Sequence, residues 1–201
     1  MKKRVGVVLR TEEITGVLKH YVRNSMLEKL TKYDIEIICI PIINKLENIY
    51  SIINSCDGII FPGGDDVVDK DLKILEYLYI NNTPTLGICL GMQEMAIFKN
   101  GKMIDLNDDS HYMKNNKTHE VVIDKSSKLF EIIGKEKITI NSRHHSIITK
   151  TDLNISAYSN NFIIEAIEDS TKTFFIGVQW HPEDLEVEET YLLLNYFINC
   201  L

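Results

Sequence analysis

The sequence predicts an α/β fold: a doubly wound, mainly parallel sheet with flanking helices and an antiparallel extension. Three observations predict it. In the first half, short apolar runs alternate with longer amphipathic stretches, the pattern of strands joined by crossover helices. Two of those runs stop at Pro41 and at Pro62-Gly63-Gly64, residues that end strands. In the second half, apolar runs lie close together, as hairpin-linked strands do.

The elements follow in order. Val5–Leu9 reads as a strand entering the core. Lys19–Leu30 reads as a helix, with Val22, Met26, Leu27 and Leu30 at helical spacing. Ile35–Ile40 and Gly58–Phe61 read as strands, Asp71–Ile80 as a helix, Thr85–Ile88 as a strand and Gly91–Phe98 as a helix. Further strands are expected over Glu120–Ile123, Ile138–Ile140, Ile155–Tyr158, Phe162–Ile167 and Phe174–Val178, with a hairpin turn at Glu168–Lys172. Glu188–Ile198 reads as a closing helix. Asn107–Lys117 is polar and turn-rich and reads as a mobile surface loop. With no internal repeat or linker, residues 1–201 are expected to form one domain.

Composition excludes several classes. At 44% hydrophobic and 25% charged residues, the chain is an ordinary globular one. A formal net charge of −7 argues against a nucleic-acid partner. No apolar run reaches the length of a membrane span, and Met1–Leu9 does not read as a secretion signal. Cys39, Cys56, Cys89 and Cys200 are scattered and are expected to be reduced thiols in a cytoplasm.

Only Cys89 has chemically informative surroundings. Thr85–Ile88 runs into Gly87-Ile88-Cys89-Leu90-Gly91 and then a helix, the thiol counterpart of a nucleophile elbow. Small residues are needed on either side because neighbouring chains pass close to a sharp, strained turn. The helix N-terminus favours thiolate, and the Leu90 N–H is expected to face an oxyanion. A second segment, Gly177-Val178-Gln179-Trp180-His181-Pro182-Glu183, is a strand ending in His-Pro-Glu. Residues two apart in extended chain share a side, so Glu183 can reach the His181 imidazole. Nucleophile, base and orienting carboxylate then stand in the order Cys89, His181, Glu183. A third segment, Phe61-Pro62-Gly63-Gly64-Asp65-Asp66, ends a strand at the edge where parallel sheets bind ligands, and Gly64 could supply a second oxyanion N–H.

Together these segments resemble class I glutamine amidotransferases, and within them the γ-glutamyl hydrolase branch, peptidase C26, which includes γ-glutamyl-γ-aminobutyrate hydrolases. The resemblance spans nearly the whole chain and implies a flavodoxin-like glutamine amidotransferase fold. It implies catalytic roles for Cys89, His181 and Glu183, oxyanion donors at Gly64 and Leu90, and a glutamyl contact at Gln93. It also matches Asn141–Ser146 to a segment that holds the glutamyl end, so Arg143, His144, His145 and Ser146 become substrate-binding candidates. Ser146 stands where the hydrolase branch usually has Gln, and resembles instead the glutaminase subunits of anthranilate synthase. His111 and His119 are taken as surface residues, and neither a metal nor a cofactor is expected.

The expected reaction is hydrolysis of a γ-glutamyl amide of a small amine through a glutamyl thioester on Cys89. The expected partner is a small γ-glutamyl substrate, with neither nucleic acid nor membrane, and a homodimer is left open. Three alternatives remain: a glutaminase subunit passing ammonia to a separate synthetase, a hydrolase acting on a nucleotide-linked amidate, and a non-catalytic γ-glutamyl-binding module.

Overall fold

A computed structural model describes residues 2–43, 45–106 and 118–201. In chain order the strands are β1 (Lys3–Val8), β2 (Arg10–Ile14), β3 (Val17–Tyr21), β4 (Ile35–Ile40), β5 (Gly58–Phe61), β6 (Thr85–Ile88), β7 (Lys102–Asp105), β8 (Thr118–Ile123), β9 (Lys137–Asn141), β10 (Ser146–Lys150), β11 (Asn154–Ser159), β12 (Ile164–Glu168) and β13 (Phe175–Val178). The helices are α1 (Asn24–Leu30), α2 (Leu46–Ile53), α3 (Asp69–Ile80), α4 (Leu90–Phe98), α5 (Lys128–Ile133) and α6 (Glu188–Asn199).

Nine strands form the main sheet in the order β4-β1-β5-β6-β13-β12-β11-β8-β9. The pairs from β4 to β13 are parallel, and those from β13 to β9 are antiparallel. This is the expected parallel sheet with an antiparallel extension. The parallel strands β5, β6 and β13 are buried along their whole length, which is why they read as continuous apolar runs rather than alternating ones.

Their side chains still alternate between the two faces. Ile60, Leu86, Ile88, Ile176 and Val178 pack with Met26, Leu30, Leu193 and Phe197 beneath α1 and α6. Ile59, Phe61 and Phe175 pack with Ile53, Ile74, Leu78, Met92 and Met95 beneath α2, α3 and α4. Both faces are therefore covered, as a doubly wound sheet requires.

The expected helix over Lys19–Leu30 is corrected. Residues Arg10–Tyr21 form a hairpin, paired from Arg10↔Tyr21 to Ile14↔Val17, and only Asn24–Leu30 is helical. Thr15 and Gly16 turn the chain at φ 52° and 77°, the positive pair of a two-residue hairpin turn. The apolar spacing that suggested a longer helix fits the helix only from Met26 on; Val22 lies in the connection after the hairpin.

Other departures are smaller. Helix α3 begins two residues before Asp71, and Phe162 falls outside β12, exposed at φ 59°. Helices α2 and α5 and the paired strands β7 and β10 were not anticipated. The loop expected at Asn107–Lys117 and His111 within it lie outside the described residues. Among the described residues no helix is long and apolar enough to cross a membrane.

Candidate active site

The site sits at the carboxyl ends of β5, β6 and β13, three adjacent parallel strands. Each delivers one of the segments singled out by sequence. Strand β6 ends at Ile88, and α4 starts at Leu90, leaving Cys89 alone in the turn at φ 52°, ψ −105°. That conformation is costly for a residue with a Cβ and persists only where surrounding structure imposes it. Here the imposition is visible. The Cys89 N–H donates to the Val178 carbonyl at 2.8 Å, and the Cys89 carbonyl accepts from Gln93 N at 3.1 Å.

The two flanking glycines have no room for a side chain. A Cβ on Gly91 would lie 2.1 Å from the Phe61 carbonyl oxygen. One on Gly87 would lie 2.8 Å from backbone atoms of Gly91. The close passage of chain expected around the elbow is thus present on both sides. Leu90 is the first residue of α4, so its N–H has no acceptor within the helix.

His181 follows β13, and Pro182–Asp184 turns as a short 3-10 segment. That turn brings Glu183 back onto the ring: His181 Nδ1 lies 2.7 Å from Glu183 Oε1. His181 and Glu183 are each 4% exposed and Cys89 7%. Burial works against a charged imidazole, but charge and hydrogen-bond interactions with the Cys89 sulfur and the Glu183 carboxylate outweigh it and raise His181 to about 9. The imidazole therefore holds its proton at neutral pH. Asn141 fixes the residue from behind, since the His181 N–H donates to Asn141 Oδ1 at 2.8 Å and Asn141 Nδ2 donates to the His181 carbonyl at 2.9 Å.

Gly63 borders both members of the pair. A Cβ there would stand 2.7 Å from His181 Cε1 and 3.5 Å from Cys89 Cβ. Gly64 lies against Leu90, whose Cδ2 would be 2.9 Å from a Cβ at that position. The loop after β5 and the start of α4 thus meet beside the Cys89 thiol.

The remaining expected residues spread over two places. Gln93 Nε2 donates to the Ser146 carbonyl at 2.9 Å and to Gln179 Oε1 at 3.2 Å. Ser146 Oγ donates to Asp105 at 2.6 Å, and His144 Nδ1 lies 3.1 Å from the Ser146 carbonyl. Arg143 turns the other way and pairs with Asp184, while His145 is exposed. His119 is corrected: rather than a simple surface residue, it lies 2.9 Å from the fully buried Glu165.

Sequence reasoning missed Gln179 and Arg10. Gln179 Nε2 reaches Cys89 Sγ at 3.5 Å. The period-2 rule held the signal, because Gln179 stands two residues before His181 on the same strand end. Arg10 gave no signal, since its position depends on the unanticipated hairpin. A cavity of about 300 Å³ opens beside Leu90, walled by Arg10, Glu12 and Glu13 of the hairpin and by Asp65 and Asp66 of the loop after β5.

His181, Glu183 and Asp184 place one ligand-capable atom each within 4.8 Å of one another. Nδ1 of His181 is bonded to Glu183, and Asp184 is paired with Arg143.

The family model described as Peptidase C26 matches residues 69–183. The glutamine amidotransferase-like protein YvdE of Lactococcus lactis is 27% identical over 194 aligned positions, covering 81% of this chain and 80% of that protein. GMP synthase [glutamine-hydrolyzing] of Francisella tularensis subsp. novicida is 31% identical over 70% of this chain, a stretch that takes in 27% of that longer protein. Two solved structures share the fold. A GMP synthase subunit protein of Thermoplasma acidophilum gives a TM-score of 0.76 at 19% identity, covering 100% of this chain and 94% of that one. The glutaminase domain of Trypanosoma brucei CTPS, with bound acivicin, gives 0.69 at 21% identity, covering 98% and 94%.

Proposed function

The chain belongs to the Peptidase C26 family, and on that premise we propose that it is a cysteine-dependent hydrolase of a γ-glutamyl amide, acting as one domain over residues 1–201. Hydrolytic chemistry at amide bonds is the class that the family supports. The substrate and the residue roles are the proposal. The observation that carries it is the 2.7 Å contact between His181 Nδ1 and Glu183, which leaves Nε2 of the same ring for the Cys89 thiol.

In this reading the Cys89 thiolate attacks the γ-carbonyl carbon, and the N–H groups of Leu90 and Gly64 hold the resulting oxyanion. The C–N bond then breaks as His181 gives its Nε2 proton to the leaving amine. Neutral His181 next takes a proton from water, and the hydroxide attacks the thioester. Glutamate leaves, and the thiolate and imidazolium are restored. Glu183 fixes the tautomer and offsets the positive charge on the ring. Gln93, His144 and Ser146 are assigned to the glutamyl end; Arg143, paired with Asp184, and the exposed His145 are not. Gln179 donates to the sulfur and holds it in line.

We assign the cavity beside Leu90, the one oxyanion-donor residue that lines it, to the leaving amine. Its walls carry Glu12, Glu13, Asp65 and Asp66, so it favours an amine bearing a second positive charge and disfavours one bearing a carboxylate. A second reading has its own support. The GMP synthase relative is glutamine-hydrolyzing by name, and a chain with this site could pass ammonia to a separate synthetase. Assaying the purified chain alone against glutamine and a panel of γ-glutamyl amides separates the two. The hydrolase reading expects turnover of γ-glutamyl amides with no protein added. Activity on glutamine alone, and only with a second protein present, favours the ammonia-donating reading.

A further inference from the structure

Behind the loop after β5 lies a buried ionic cluster that the reaction above does not use. Arg10 of β2 is 5% exposed, Asp71 of α3 3% and Glu94 of α4 0%. Arg10 Nη1 donates to Asp71 Oδ2 at 2.7 Å and to Glu94 Oε1 at 3.0 Å, and Nη2 donates to Glu94 Oε2 at 2.8 Å. The same guanidinium turns its other edge to the loop. Nε and Nη2 both donate to the Pro62 carbonyl, at 3.0 and 2.6 Å. Only a planar fork can serve two carboxylates and a carbonyl at once; an ammonium on a flexible stem cannot.

Such a cluster is a poor way to gain stability. Taking three ionisable groups out of water costs several kcal/mol per ion, roughly what their attraction returns. Charge balance lowers that cost here. Burial above all, with the neighbouring Asp71, pushes Glu94 up to about 8 against the opposing pull of Arg10. Burial raises Asp71 as well, so the cluster holds a proton more readily than two free carboxylates would.

The cluster is aimed at one short stretch of chain. Pro62 has no N–H, so its carbonyl is the only backbone handle on that residue. Two residues on, Gly64 rests on the Arg10 stem: a Cβ there would come within 3.1 Å of Arg10 Cγ and Cδ. Leu90 Cδ2 crowds the same face of Gly64. The Arg10 charge also interacts with Cys89.

We propose that Arg10, gripped by Glu94 and Asp71, is a positioning residue that fixes Pro62-Gly63-Gly64 so that the Gly64 N–H faces the oxyanion formed at Cys89. This rests on the hydrolase reading above. Oxyanion donors contribute because they are in place before charge develops. A donor on a glycine pair is only as well placed as the groups that hold the pair.

The test compares the purified wild-type chain with Arg10→Lys, which keeps the charge and loses the fork. Three rates are read: turnover of a γ-glutamyl anilide, inactivation by 6-diazo-5-oxo-L-norleucine, whose ketone takes the place of the γ-carbonyl, and alkylation of Cys89 by iodoacetamide, which needs no oxyanion donor. The proposal expects kcat to fall about 10- to 100-fold, towards the loss seen on removing an oxyanion donor. KM should change little. Inactivation by the ketone should slow in parallel with kcat, while alkylation by iodoacetamide should stay within about twofold, since it does not use the loop.

Where Arg10→Lys unfolds, Glu94→Gln is the second variant. It keeps the shape, removes one shared grip on the guanidinium, and should show the same split at smaller amplitude. Unchanged kcat in a folded variant overturns the proposal. So does an equal slowing of all three rates, which marks a general loosening of the site. If the wild-type chain itself neither turns over γ-glutamyl amides nor reacts with the ketone at Cys89, the hydrolase reading fails first and this one falls with it.

Discussion

His181 Nδ1 stands 2.7 Å from Glu183 Oε1, two residues along the chain, and both side chains are buried. The contact exists because Pro182 opens a 3-10 turn at the end of β13, folding the carboxylate back onto the ring. One carboxylate oxygen, Oε1, meets the ring, and among the described residues Oε2 has no hydrogen-bond partner.

Glu183→Gln keeps the shape and loses the charge that offsets the imidazolium. The His181 proton should then be released at lower pH than the present value of about 9. We expect a lower kcat with a nearly unchanged dissociation constant for a non-hydrolysable γ-glutamyl analogue. Wild-type kcat in this variant makes Glu183 a bystander. Lost analogue affinity with kcat intact moves it to the substrate-binding shell.

Gly91 supports the elbow sterically. A Cβ at this position would lie 2.1 Å from the Phe61 carbonyl oxygen, so Gly91→Ala must displace either β5 or α4. We expect a loss of about 1–3 kcal/mol or more in urea unfolding, the range for overpacking a close-packed site. A midpoint equal to wild type contradicts the packing described around Cys89.

Two buried groups make stability fall as pH rises. His181 is raised from 6.5 to about 9 and Glu94 from 4.5 to about 8. Each binds its proton more tightly folded than unfolded, so the folded state gains at low pH and loses that gain through these windows. The His181 contribution is complete below pH 6.5 and gone above about 9. Thermal midpoints should decline from pH 6.5 to 9, and Glu94→Gln should flatten the part below about 8. A midpoint that rises over this interval contradicts both assignments.

The sheet was legible in sequence because β5 and β6 are buried on both faces and bounded by proline or glycine, and the half-buried edge strand β4 is an apolar run that stops at Pro41. Strands β4, β5 and β6 match their expected limits, Ile35–Ile40, Gly58–Phe61 and Thr85–Ile88. Cys89 and His181 were legible because strand ends put them in fixed places, and the fold brings those ends together; Glu183 reaches the ring through the 3-10 turn at Pro182–Asp184 rather than through the extended spacing expected. The hairpin was not legible. Its tip residues Val17 and Leu18 are exposed, so no buried face marked it as strand. Arg10 was hidden for the same reason, since its partners Pro62, Asp71 and Glu94 lie 52, 61 and 84 residues away. Asn141 and Gln179 also make long-range contacts, 40 and 86 residues away, to His181 and Gln93 respectively.

The assignment of the cavity beside Leu90 to the leaving amine gives a selectivity prediction. With Glu12, Glu13, Asp65 and Asp66 around it, a γ-glutamyl amide of a diamine should have a higher kcat/KM than that of an amino acid of equal length. Added salt should shrink the difference, because these carboxylates are screened. Glu12→Gln with Asp65→Asn should shrink it as well. A preference for the carboxylate-bearing amine, maintained at low salt, sinks the assignment.

The central claim is that a glutamyl group passes through Cys89. Quenching the isolated chain in acid during turnover of a γ-glutamyl amide, then weighing intact protein and its Cys89 peptide, tests it directly. The account predicts a glutamyl adduct on Cys89 that hydroxylamine removes, and neither adduct nor turnover in a folded Cys89→Ala chain. Near-normal turnover by Cys89→Ala, or an adduct on any other residue, would contradict it.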